Sequence, residues 1–132
     1  MKRFVLDSFA VLAYCQNEAG AKSVAPLLAE AVAGRASVWI CVVNWGECYY
    51  VILRKGGQSY ADAFLATFGK YPVTIVDADA ALTLDAARFK ARNKMSYADA
   101  FAAALAKLQN ATLVTGDPEF RPLEKEIGIR WI

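Results

Sequence analysis

An apolar run that ends on a carboxylate near the start of the chain limits the possible folds more than any other feature. The run is Phe4-Val5-Leu6-Asp7-Ser8. Short unbroken apolar runs are typical of strands buried on both faces, as in the middle of a parallel sheet. The apolar stretch at residues 8–16 then has the character of a helix. The sequence therefore predicts a carboxylate at the carboxyl end of a buried strand, which is the edge where open α/β sheets bind ligands.

Asp7 also has a simpler interpretation, as the cap of the helix that follows it. Aspartate is favoured at helix N-caps because its side chain accepts hydrogen bonds from free backbone N–H groups. Taken alone, Asp7 is explained better by capping than by chemistry. The case for a functional site therefore depends on other acids in equivalent positions.

The rest of the chain repeats the order of strand and helix. Further strands are predicted at residues 37–43, 73–76, 111–114 and 128–132. Further helices are predicted at residues 21–32, 44–53, 59–68 and 100–108. Two more are predicted, one that follows a cap at residues 77–79 and one that follows Asp117-Pro118. In the predicted helix at 44–53, Asn44 is the expected N-cap and Glu47 completes a capping box. Ser96 and Asp99 have the same spacing before the run at 100–108, and Asp117 is the expected N-cap before Pro118. The pattern predicts one domain, residues 1–132, folded as a three-layer α/β/α sandwich with a mainly parallel central sheet.

Composition narrows the chemistry that such a domain can perform. The chain is 57% hydrophobic and 21% charged, which fits a folded globular protein. It has no histidine, which excludes Ser-His-Asp and Cys-His catalysis and argues against catalytic zinc. Its three cysteines lack the spacing of a zinc ribbon or a disulfide framework. Hydrolytic chemistry would therefore have to rest on carboxylates, helped by hydroxyls and metal ions.

Hydropathy and charge bear on location and partners. No apolar run approaches the roughly 18 residues that a membrane span needs, and Met1-Lys2-Arg3 leads into a strand with no cleavage site. We therefore expect a cytoplasmic protein with no membrane partner. A net charge of +2 permits nucleic-acid binding without requiring it.

Four of the thirteen acids share one kind of position, close after an apolar strand or at the start of a buried helix. They are Asp7, Glu47, Asp99 and Asp117. In a parallel sheet these positions lie at one edge, so the four carboxylates should converge. Clustered carboxylates repel one another unless a cation is present, and helix N-termini relieve only part of that cost. An all-oxygen site suits Mg²⁺ or Mn²⁺.

Such ions favour the hydrolysis of phosphodiesters. They bridge phosphate oxygens and generate hydroxide near neutral pH, so the acids would serve as metal ligands and one would orient the attacking water. Ser8 and Thr115 stand beside two of the acids. Their hydroxyls have two interpretations: they bind a ligand water or the phosphate, or they are ordinary turn and cap residues.

The ordered set of motifs resembles the PIN-domain family, especially the VapC-like toxins. The motifs are Val5-Leu6-Asp7-Ser8, Asn44-x-x-Glu47, Ser96-Tyr97-Ala98-Asp99-Ala100 and Thr115-Gly116-Asp117-x-x-Phe120. No single motif is specific, but the four stand in the family's order over nearly the whole chain. The resemblance implies a metal-dependent endoribonuclease that cleaves RNA, is often dimeric and is held inactive by a small antitoxin.

The same resemblance implies roles for individual residues. The family's acidic quartet, which is both catalytic and metal-binding, is matched by Asp7, Glu47, Asp99 and Asp117. Its polar supporting residues are matched by Ser8 and Thr115, whereas Asn44 stands where many relatives carry serine or threonine. The cofactor implied is Mg²⁺ or Mn²⁺.

Other classes fit the sequence less well. A dinucleotide-binding domain would need G-x-G-x-x-G after the first strand, and residues 7–12 contain no glycine. A phosphatase with an aspartyl nucleophile would need a second aspartate two residues after Asp7, where the chain has Phe9. A non-catalytic PIN-like module that binds RNA or protein is the main alternative.

The sequence also predicts a surface for a protein partner. The stretch after Asn44 is apolar on more than one helical face, and Tyr60, Phe64 and Phe68 form a stripe on the next predicted helix. Either neighbouring helices of the same chain cover these residues, or they form a groove for an amphipathic antitoxin helix or a second copy of the chain.

Overall fold

Five strands and seven helices alternate along the chain in a computed structural model that describes residues 1–132. The strands are β1 (Lys2–Leu6), β2 (Ala36–Cys41), β3 (Val73–Val76), β4 (Thr112–Thr115) and β5 (Ile129–Trp131). The helices are α1 (Ser8–Cys15), α2 (Ala21–Val32), α3 (Val42–Gly56), α4 (Gln58–Phe68), α5 (Ala80–Arg92), α6 (Tyr97–Leu108) and a 3₁₀ helix, Pro118–Leu123. No helix is long and apolar enough to cross a membrane.

The five strands form one sheet in the order β3-β2-β1-β4-β5. Every neighbouring pair is parallel. From β1 the chain proceeds to β2 and β3 on one side, and then crosses to β4 and β5 on the other. The direction of winding therefore reverses between β1 and β4, and ligands bind at such points outside the carboxyl ends of the strands.

The sheet has a hydrophobic core on each face, so the predicted three-layer α/β/α sandwich is confirmed. Side chains of β1 alternate between the two cores. Val5 packs with α5 and α6, whereas Phe4 and Leu6 pack with helices α1 to α4. The buried helix predicted at residues 100–108 is also confirmed, because every residue from 99 to 106 is buried.

The start of α3 differs from the prediction. The strand expected at residues 37–43 ends at Cys41, and Val42 already belongs to the helix. Asn44 is therefore not the N-cap, which is Cys41, and the predicted capping box is wrong. Two β-branched valines favour a strand locally, but tertiary contacts override that preference. Asn44 is fully buried and bonds to other segments instead of capping its own helix.

The other predicted caps agree with the structure. Ser96 caps α6 and accepts a hydrogen bond from the Asp99 backbone N–H at 3.0 Å. Asp117 caps the helix that begins at Pro118, which is a short 3₁₀ helix. Asp7 and Asp117 thus lie at helix starts, where free backbone N–H groups bond their carboxylates, and Asp99 lies in the first turn of α6.

Candidate active site

The candidate site lies at the carboxyl ends of β1 and β4, where the winding of the sheet reverses. Asp7 follows β1 directly, and its backbone N–H donates to the carbonyl of Val114 in β4 at 3.5 Å. Asp117 follows β4 two residues after Thr115. Parallel pairing of the two central strands therefore brings residues from opposite ends of the chain to the same edge.

Asp7 is held by two hydrogen bonds in a buried position. One carboxylate oxygen accepts from the Ala10 backbone N–H at 2.8 Å, and the other accepts from the Thr115 hydroxyl at 2.5 Å. Burial raises the pKa of Asp7, the charges of Asp99 and Asp117 add to the shift, and the two hydrogen bonds oppose it, so that the pKa lies at about 7. Asp7 is thus poised to take up or release a proton near neutral pH.

Thr115 connects two of the acids. Its hydroxyl donates to Asp7 and accepts from the backbone N–H of Asp117 at 3.0 Å. The carboxylate of Asp117 in turn accepts from the Glu119 backbone N–H at 2.9 Å. Because Thr115 is fully buried, this chain of bonds fixes Asp7 relative to the turn that carries Asp117.

A second network holds Glu47. The Ser8 hydroxyl donates to a carboxylate oxygen of Glu47. The side-chain amide of Asn44 donates to the Ser8 hydroxyl at 3.3 Å and to the carbonyl of Ala98 at 3.0 Å. Asn44 therefore joins the starts of α1, α3 and α6, while its own buried side-chain oxygen has no partner.

Asp99 lies at the start of α6 and is nearly buried. Burial, the neighbouring carboxylate of Asp117 and, more weakly, Glu47 together raise its pKa to about 7. The electrostatics therefore connect Asp99 to Asp117 and Glu47, as they connect Asp7 to Asp99 and Asp117. All four predicted acids lie within electrostatic range of at least one other.

Three carboxylates are close enough to share a metal ion. Asp99, Asp117 and Glu119 each offer an oxygen atom, and these atoms lie within 4.8 Å of one another. Oxygens that share one Mg²⁺ at about 2.1 Å lie at most about 4.2 Å apart, so small side-chain rotations suffice. A set of carboxylate oxygens without nitrogen or sulfur fits Mg²⁺ or Mn²⁺.

Glu119 was missed from the sequence, and two of the predicted ligands lie outside the group of three. Asp7 lies just before α1 and is held by Thr115, and Glu47 lies in the second turn of α3 and is held by Ser8. A signal for Glu119 was present in its spacing, since it follows Asp117 by two residues in the same turn.

Comparisons with known proteins agree with this geometry. The PIN domain pattern matches residues 4–126, and a comparison with curated protein sequences gave no match. The chain is similar in structure to VapBC2 from Rickettsia felis, bound to a DNA fragment from its promoter, with a TM-score of 0.75, 16% identity and 97% coverage of each chain. It is also similar to VapC20 from Mycobacterium tuberculosis, a toxin that cleaves the sarcin-ricin loop, with a TM-score of 0.73, 17% identity and coverage of 94% and 95%. A third similar structure, DNA-bound VapBC from Salmonella typhimurium, has a TM-score of 0.74, 17% identity and 98% coverage of each chain. With a match over most of its length and this arrangement of acids, the chain belongs to the PIN-domain family.

Proposed function

We propose that this protein is a metal-dependent endoribonuclease that hydrolyses RNA phosphodiesters and acts as the toxin of a toxin–antitoxin pair. One observation carries the proposal. Buried and half-buried carboxylates converge at the sheet edge, yet none of the four ion pairs in the structure involves Asp7, Glu47, Asp99 or Asp117. The chain supplies no cation to balance them, so a divalent metal is the simplest partner.

Some residues of the site would bind the ion, and others orient the neighbouring carboxylates. Asp99, Asp117 and Glu119 would bind Mg²⁺ or Mn²⁺, and Glu47 lies close enough to Asp99 to influence it. A divalent ion at this place would supply positive charge to a phosphate oxygen and would acidify a bound water. Thr115 and Ser8 keep Asp7 and Glu47 in fixed orientations.

Asp7 is the best candidate to accept a proton from the attacking water. A general base works best when its pKa is near the working pH, and the pKa of Asp7 is raised to about 7. Both of its oxygens already accept one hydrogen bond. Each carboxylate oxygen can accept two, so a lone pair on each oxygen is still free for a water or an ion.

The proposed partners are an RNA substrate, a small antitoxin and a second copy of the chain. Several similar structures are described as VapBC or toxin–antitoxin complexes. A groove of about 400 Å³ lies between the end of α1, α3 and α4, and Cys15, Ile52 and Phe64 are among its lining residues. It is the place for an amphipathic antitoxin helix.

The predicted aromatic stripe of α4 is divided between core and surface. Phe64 is buried, Phe68 is half-buried and Tyr60 is exposed. Phe64→Ala would destabilise the fold and so could not test binding alone, since replacing a buried phenylalanine by alanine costs about 3–5 kcal/mol. Tyr60 is the better test, because it is exposed and lines the groove, which Tyr50 of α3 does not. We expect Tyr60→Ala to weaken antitoxin binding or self-association about tenfold or more while leaving RNA cleavage unchanged.

The deciding experiment compares RNA cleavage with and without metal. Purified protein should cut structured RNA in Mg²⁺ or Mn²⁺ and stop in a chelator. Asp99→Asn should lower the rate about 100-fold or more, because even outer partners of a metal are worth about 10- to 100-fold. Asp62→Asn, at an exposed acid of α4, is the matched control. Metal binding without cleavage would favour the alternative, a non-catalytic PIN-like module that binds RNA or protein.

A further inference from the structure

Phe9 is a large apolar side chain that packs in neither core. It follows Ser8 in the first turn of α1, and 45% of its surface is exposed. Its ring lies against the backbone of Gly116. A Cβ atom at position 116 would come within 2.2 Å of the Phe9 ring, so only glycine allows this contact.

The contact fixes the ring beside the carboxylates. Gly116 stands between Thr115, which bonds Asp7, and Asp117. The ring of Phe9 therefore lies against the residue that joins Thr115 to Asp117, and much of its surface is open to solvent. The face of the ring that Gly116 does not cover is available to a ligand that reaches the carboxylates.

A second exposed aromatic stands on the other side of the sheet. Tyr97 is the first residue of α6, two residues before Asp99, and is 46% exposed. Its ring packs only partly, against Phe101 at a centroid distance of 5.0 Å. Because α1 and α6 cover opposite faces of the sheet, an exposed aromatic flanks the carboxylates on each side.

We propose that Phe9 is a stacking platform for the base next to the scissile phosphate, and that Tyr97 takes a base on the other side. The inference rests on the proposed ribonuclease function. Hydrolysis at the phosphate needs no aromatic ring, but an RNA strand that reaches the carboxylates brings unpaired bases with it. Single-stranded RNA is bound by stacking such bases on aromatic side chains. The substrate class is therefore RNA whose bases are unstacked at the cleavage point, and any base can stack.

The test measures the steady-state cleavage of short fluorescein-labelled single-stranded RNAs of randomised sequence by the metal-loaded protein. Phe9→Leu keeps an apolar side chain but removes the π face. We expect KM to rise about 5- to 100-fold, as for the loss of one base–aromatic contact, with a smaller change in kcat. Leu108→Ala, at the exposed far end of α6, is the control and should leave KM unchanged.

Abasic substrates separate stacking from a structural role. When the nucleotide next to the cleavage point lacks its base, the KM of the parent protein should rise by the same factor. The KM of Phe9→Leu should rise little further on this substrate. If the parent cleaves abasic and normal RNA with equal KM, the stacking role is wrong, whatever the stability of the variant.

The two hypotheses can fail separately. Cleavage by Phe9→Leu with the KM of the parent overturns the stacking proposal and leaves the nuclease intact. A parent protein that neither binds nor cuts any RNA overturns both. A melting temperature and a metal-induced stabilisation equal to those of the parent show that Phe9→Leu has kept its fold and its acidic cluster.

Discussion

Replacing Asp7 by asparagine should stabilise the metal-free protein, and increasingly so as the pH rises. The change removes a buried charge and little else. In the parent, Asp7 accepts from the Ala10 backbone N–H and from the Thr115 hydroxyl. In the variant, the asparagine oxygen can still accept from Ala10, and the asparagine amide can donate to the Thr115 hydroxyl. Size and capping ability are retained. Any gain in stability should therefore come from the lost charge.

The magnitude follows from the pKa of Asp7, which is raised from 3.8 to about 7 mainly by burial. A folded pKa above the unfolded one means that the stability contributed by the neutral acid is complete below pH 3.8 and is lost as the pH rises toward 7. At about 1.36 kcal/mol per pKa unit, the charged form costs about 4 kcal/mol well above pH 7. Between pH 5 and pH 8 the same relation gives a loss of about 2–3 kcal/mol.

Urea unfolding in the presence of a chelator, repeated from pH 5 to pH 8, measures this quantity. The difference in free energy of unfolding between Asp7→Asn and the parent should grow by about 2–3 kcal/mol over that range. Asp79→Asn is the matched control, because Asp79 caps α5 with the same 2.8 Å bond but is exposed. A difference that stays constant with pH, or one that shrinks, would refute the argument that burial holds the Asp7 charge at a cost.

Three further predictions concern metal binding and the contact between Gly116 and Phe9. Saturating Mn²⁺ or Mg²⁺ should raise the melting temperature of the parent, because metal at a hundredfold excess over its Kd adds about 2.7 kcal/mol to the free energy of unfolding. Mn²⁺ should bind at least as tightly as Mg²⁺, and an unchanged melting temperature at millimolar metal speaks against a preformed site. Glu119→Gln should weaken Mn²⁺ binding about tenfold or more in calorimetry while hardly changing the melting temperature, because Glu119 is exposed. Gly116→Ala should push the Phe9 ring aside and raise KM for RNA as Phe9→Leu does, with no added effect in the double variant; additive effects would show that the two residues act separately.

Periodicity and strand order were enough to predict the frame of the site. A parallel sheet places the residues after its strands at one edge, so the positions of Asp7 and Asp117 followed once β1 and β4 were recognised as buried strands. The start of α6 was equally clear, because Ser96 and Asp99 have the spacing of a cap and a buried run follows. These are local signals, and the sheet supplies the rest.

The details that failed depend on contacts between distant segments. Asn44 was expected to cap a helix, yet its amide reaches Ser8 and Ala98 and ties three helix starts together. Nothing near Asn44 in the sequence distinguishes a cap from such a cross-link. Glu119 was overlooked because it stands in an exposed turn, and only the placement of Asp99 beside that turn gives it partners.

Capping and chemistry are compatible roles of Asp7 in the structure. The carboxylate accepts from the first turn of α1 through one oxygen and from Thr115 through the other. These bonds favour the charged form but do not offset the cost of burial, so the pKa still rises to about 7. Asp79, by contrast, caps α5 from an exposed position and does not bear the cost of burial. The buried cap is worth its cost only if a cation or a proton occupies the site, because either one removes the repulsion that the fold itself leaves unbalanced.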